Sequence, residues 1–191
     1  MRSLLLTRLG PKSTHRLESA ALLLCLGGVL LFGAPVLGQE GEWETIRPIA
    51  VTGLDEARLA AAAGVEGFLA LVPEGDEEEY GFGSPDELKG AALGVPFRVV
   101  TISPKAIAKG GEVAFAVVDE WRFPILVRGE AKTLLSVAHV NGVWRAVSLG
   151  GAGLARHLQT AQKLSGAKNQ AGARFILRIY QLRSDFLLVV D

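Results

Sequence analysis

Apolar and polar positions divide the chain into an apolar head, a helical stretch and a strand-rich remainder. Residues 20–38 carry no charge, and residues 20–32 are almost wholly apolar. Further on, Asp55 opens a helix predicted over residues 56–71, with Leu59, Ala62, Ala63 and Phe68 recurring on one side. Gly64 and Gly67 weaken its second half. Ser84-Pro85-Asp86-Glu87 is the sharpest local signal. Ser84 is a cap residue, Pro85 suits the first helical position, and Glu87 is placed to close a capping box. The short helix so started is predicted to end at Gly94.

From Phe97 onward the period falls to two. Residues 97–103 are β-rich, and residues 112–118 read as extended. Residues 121–127 place Trp121, Phe123, Ile125 and Val127 on one face, and Pro124 among them argues for an edge or a bulge. Gly129-Glu130 turns the chain into a strand over residues 131–140. Asn141-Gly142 is a hairpin signal leading to a strand over residues 143–149. Gly150 to Gly153 leads into a helix ending near Leu164, with Leu154, Leu158 and Ala161 facing inward. Strands over residues 174–181 and 186–190 follow. Hairpins dominate, so the predicted class is α+β. We expect a largely antiparallel sheet of about five to six strands, with two to three helices packed mainly on one face.

Charge changes the reading of the head. Arg2, Arg8, Lys12 and Arg16 precede the apolar run with Glu18 as the only acid, and Val36-Leu37-Gly38 offers a cleavable end before Gln39. This order predicts a secretory signal over residues 1–38. An uncleaved anchor with its basic end inside is the alternative, because an α-helix spans a bilayer with about 20 residues. Gly27, Gly28, Gly33 and Pro35 weaken such a helix and favour cleavage. Either reading exports the domain to the periplasm or the exterior, and touches a membrane only through residues 20–38 if they are retained. Residues 39–53 form a linker arm carrying Trp43, Ile46 and Ile49, and residues 54–191 form a single domain. The leader holds four of the 20 basic and one of the 20 acidic side chains, leaving 16 against 19. A slightly acidic domain is not built for nucleic acid. Cys25 is the sole cysteine, so the exported part has no disulfide, no thiolate metal site and no cysteine nucleophile.

Candidate chemistry is sparse, and neither cofactor nor metal is expected. His139 shares a strand face with Leu135 and Val137, and His157 lies within a helix. Neither stands in a metal-ligand spacing, and no G-x-S-x-G elbow is present. A small envelope hydrolase would have to recruit one of these histidines together with a distant serine and aspartate. The glycines at 150, 151 and 153 match no phosphate-loop spacing and read as a tight turn. The acidic loop of residues 74–79 lacks the calcium-loop register.

The division of charge is more informative. Residues 39–88 hold 13 acids against Arg47 and Arg58, whereas residues 89–191 hold 14 bases against six acids. Alternation puts Arg122 and Arg128 opposite the Trp121 face, and Arg174 and Arg178 opposite Phe175, Leu177 and Ile179, alongside Tyr180. Their planar donors suit carboxylates and phosphates. Two plainer readings compete: the acidic half folds back onto them, or water solvates them. Trp144 either anchors a partner or packs beneath the segment of residues 151–164. The favoured expectation is an exported, non-enzymatic binding module for a protein or small anionic ligand. Its candidate residues are Arg122, Arg128, Trp144, Arg174, Arg178 and Tyr180. A membrane-tethered accessory subunit is the remaining alternative.

Overall fold

The computed structural model describes residues 4–9, 52–102, 115–164 and 173–190. The apolar run of residues 20–38 and the arm with Trp43, Ile46 and Ile49 lie outside this set. The elements are β1 (Leu4–Leu9), α1 (Leu54–Ala70), α2 (Pro85–Lys89), β2 (Ala92–Leu93), β3 (Phe97–Ile102) and β4 (Phe115–Val127). They continue with β5 (Glu130–Val140), β6 (Val143–Gly150), α3 (Ala152–Leu164), β7 (Ala173–Ile179) and β8 (Ser184–Val190). The class is α+β. Seven strands run in the order β1-β8-β7-β3-β4-β5-β6, with the short β2 also pairing β4. Every described pairing is antiparallel except β3 with β7. The sheet is thus wider than the five to six strands expected, partly because Leu4–Leu9, within the segment expected to be a leader, pairs with β8.

Two of the three α-helices among the described residues share a face. Ala57 and Ala61 of α1 pack with Trp121, Phe123, Leu135 and Val137, and Leu88 of α2 joins the same cluster. The third helix covers the opposite face, where Ala155, Leu158 and Ala161 of α3 meet Phe97, Leu134, Ile176 and Leu187. Leu134 and Leu135 are neighbours in β5 and therefore point to opposite sides. Burial of β5 on both faces fits its adjacent apolar residues Leu134 and Leu135, since a one-sided strand would alternate.

Two local signals resolve differently from expectation. Glu87 does reach back at the start of α2, but its Oε2 accepts the backbone N–H of Gly83 at 2.7 Å, and Ser84 makes no side-chain cap bond. This helix stops at Lys89 instead of near Gly94, because Ala92 and Leu93 are drawn into pairing with Leu126 and Ile125. Pro124 lies inside β4, a central strand. Its carbonyl accepts the Gly94 N–H at 2.7 Å. A residue's N–H and C=O point to the same side of a strand, so the missing donor of Pro124 faces residues 94–96, where β2 and β3 are interrupted. No helix among the described residues is long and apolar enough to cross a membrane.

Candidate binding site

The register of the central strands builds one unusual cluster. Arg98 on β3 stands opposite Trp121 on β4, Trp121 opposite Val137 on β5, and His139 opposite Trp144 on β6. A bulge follows Arg98, with the register shifting before Val100; such irregularities re-aim a side chain. The guanidinium carbon lies over both indoles, 5.0 Å from the Trp121 centroid and 5.1 Å from that of Trp144. His139 leans on Trp144 from the more exposed side, with ring centroids 5.2 Å apart. The start of α1 closes the other side: a Cβ on Gly53 would stand 2.8 Å from the Trp144 ring. Trp144 therefore packs beneath α1 and not beneath residues 151–164.

Arg98 is 2% exposed, yet only its Nη2 is paired, donating to Asp119 Oδ1 at 3.1 Å. Its Nε and Nη1, and the Nε1 of Trp121, are buried without an acceptor. Burial pulls the guanidinium's pKa down and Asp119 opposes that shift; an arginine remains charged throughout. Asp119 is 69% exposed on its side chain. The result is a buried cation, aromatic walls, two spare donors on the cation and a single solvent-facing anion.

The arginines anticipated from alternation are distributed differently. Arg122, Arg174 and Arg178 do share the face opposite Trp121, but α3 packs over part of that face. Arg178 is gripped by Asp185, its cross-strand neighbour, through Nε at 2.8 Å and Nη2 at 3.1 Å. That pairing pushes its pKa up. Arg122 donates to Glu120 at 2.8 Å. Both partners come from the basic half itself, so among the described residues the acidic half supplies neither of these two pairings. It contributes Glu87, which pairs with Lys132 at 3.3 Å. Arg174 makes no ion pair among the described residues. Arg128 sits exposed in the β4–β5 turn, and Tyr180 begins a short 3₁₀ turn, so β7 ends at Ile179 and not at Gln181 as expected. These six residues do not converge on one spot.

The remaining candidates resolve as local structure. Gly151 has φ 80° in a tight connection, and its carbonyl accepts the Ala155 N–H, the first helical hydrogen bond of α3. Glu77 in the acidic loop folds back to accept the Gly75 N–H at 3.0 Å. Among the described residues no group of three or more His, Cys, Asp or Glu side chains is placed to hold a metal ion. His139 belongs to the α1 face and His157 to α3 on the opposite face, so the sheet separates them. No protein-family model matches this chain, and no curated protein or solved structure matches it either.

Proposed function

We propose that the chain is an exported, non-enzymatic binding domain that recognises a carboxylate, carried by a partner protein or a small anionic ligand, at the Arg98 cluster. The observation behind this reading is Arg98 itself: a guanidinium almost sealed between strands, lying over two indoles, with two of its donor nitrogens unmet. Leaving a charged donor unpaired in the interior costs more than a typical hydrogen bond gains, so the arrangement is better suited to receiving an acceptor than to holding the fold. Asp119, the resident anion, is mostly solvent-facing and bonds Nη2, so a ligand carboxylate approaching from its side would compete with it for the guanidinium. Trp144 and His139 form the rim that such a ligand meets first. Export remains the reading of residues 1–38 and is part of the same proposal.

Titration of the chain with the acidic peptide acetyl-Asp-Glu-Asp-amide, followed by tryptophan emission, tests the site. The expected result is a saturable change that Arg98→Met abolishes and Asp119→Asn strengthens. A response that survives Arg98→Met, or that sodium chloride reproduces at equal ionic strength, would sink this assignment. Loss on Arg174→Ala combined with Arg178→Ala, with Arg98→Met silent, would move binding to the α3 face.

A further inference from the structure

The two ends of the sheet are treated differently. At one end β6 has no outer neighbour among the described strands, and Val143, Arg145 and Val147 are exposed on it. At the other end β8 is covered. Leu4–Leu9 adds to it as an antiparallel strand in unbroken register, from Leu4 opposite Val190 to Leu9 opposite Asp185. β8 is also buried on both faces, with Leu187 in the α3 cluster and Phe186 and Leu188 in the cluster on the opposite side. The neighbouring position is close to α3 as well, which comes against β1. A strand buried on both faces wants successive apolar residues and not alternation. Leu4-Leu5-Leu6 is such a sequence, and it stands at the head of the segment that reads as a leader.

Removal of that segment would strip β8 of its neighbour. A row of backbone N–H and C=O groups would be left open beside Leu187 and Leu188, and a bare apolar edge of this kind templates further pairing. We propose that β8 is a strand-acceptor edge. In the uncleaved chain residues 4–9 fill it. Once the leader is gone, it accepts an extended, largely apolar segment of a partner protein by antiparallel strand addition. Main-chain hydrogen bonds supply the affinity, and the buried Leu187 and Leu188 beside the edge favour apolar side chains in the added strand. The inference rests on residues 1–38 being removed on export, and it is independent of the Arg98 site.

The test uses protein processed and released by cells that express the full chain. It is weighed intact and then titrated with a fluorescein-labelled peptide of residues 2–9. A second peptide carries Leu5→Pro and Leu6→Pro, one of which must direct its N–H at β8. We expect a mass beginning at Gln39, saturable binding of the first peptide, and binding of the second weaker by about ten-fold or more. Amide exchange in residues 184–190 slows on binding. The protein carries no substitution, so loss of binding cannot come from a folding defect. A mass that retains residues 1–9 overturns the proposal through its premise. Processed protein that binds both peptides equally, or neither, overturns the acceptor edge itself. Processed protein that dimerises through residues 184–190 and resists competition by the peptide gives the edge to a second copy, which overturns the partner strand.

Discussion

The guanidinium carbon of Arg98 lies 5.0 Å from the ring centroid of Trp121, the residue directly across from it on the neighbouring strand. Contacts of this kind contribute about 0.5–2 kcal/mol each. A buried donor without an acceptor costs about 1–3 kcal/mol, and Arg98 has two. The two effects are of similar size, so the cluster sits near balance and does little to hold the sheet together.

A double-mutant cycle exposes that balance. Asp119→Ala removes the only anion bonded to Arg98 among the described residues and should cost about 1–3 kcal/mol, a figure already reduced because Asp119 faces solvent. Arg98→Met keeps the side-chain bulk and removes the charge with its unmet donors, and should fall within about 1 kcal/mol of the parent. The pair of substitutions together should resemble Arg98→Met alone. Urea unfolding of the four proteins reads the cycle, and additive losses would show that Asp119 acts elsewhere.

Gly64 and Gly67 separate helix propensity from packing. A Cβ on Gly64 would stand 2.5 Å from the Ala146 Cβ on β6, whereas one on Gly67 meets nothing within 4 Å. Gly67→Ala should therefore stabilise by about 0.5–1 kcal/mol through propensity alone. Gly64→Ala should destabilise by about 1–3 kcal/mol, because α1 must lift from the sheet. Shifts of the same sign in thermal unfolding would contradict this seating of α1.

Much of the fold is legible locally, and the site is not. Asn141-Gly142 and the period-two runs on either side of it mark β5 and β6 because a hairpin is decided by neighbours in sequence. Leu154, Leu158 and Ala161 show that α3 buries a stripe, but a stripe carries no information about which side of the sheet it meets. The adjacent apolar pair Leu134-Leu135 was the available sign that both faces are covered. Arg98 also had a sign. It interrupts Phe97-Arg98-Val99-Val100, and a charge within a strand buried on both faces must find partners. Those partners, Trp121, Asp119 and Trp144, are set by strand register and by the bulge after Arg98, which depend on segments distant in sequence. The ion pairs of Arg122 and Arg178 have mixed visibility. Glu120 lies two residues from Arg122, on the same strand face, whereas Asp185 reaches Arg178 only through the pairing of β7 with β8.

Glu87 should shape the acid limb of stability. The Gly83 N–H, with help from Lys132, holds its carboxyl below the ordinary glutamate range against a smaller opposing effect of burial. The unfolded chain therefore binds this proton at a higher pH than the folded one. The contribution is full above the ordinary value of about 4.3 and is lost as pH falls through the lower, folded value. Glu87→Gln removes the titrating group, so the urea midpoint should fall less steeply below about pH 4. Parallel acid limbs for parent and variant would rule Glu87 out as a contributor.

Gln159 fixes the placement of α3 over the sheet. Its Oε1 accepts the backbone N–H of Ala131 at 3.2 Å, and its Nε2 donates to the Gly129 carbonyl at 2.7 Å. One side chain thus ties the middle of α3 to the β4–β5 turn. The two bonds are not equal in consequence. Ala131 is buried, so its N–H has no ready substitute, while the Gly129 carbonyl is exposed and can turn to water. Gln159→Ala should cost about 1–2 kcal/mol, most of it from the orphaned Ala131 donor. Gln159→Glu keeps an acceptor for Ala131 and gives up only the bond to Gly129, so it should cost less than half as much. Amide exchange distinguishes the two variants directly. The Ala131 N–H should exchange faster in Gln159→Ala and stay protected in Gln159→Glu. Equal protection in both would mean that burial alone, and not the glutamine, holds this turn.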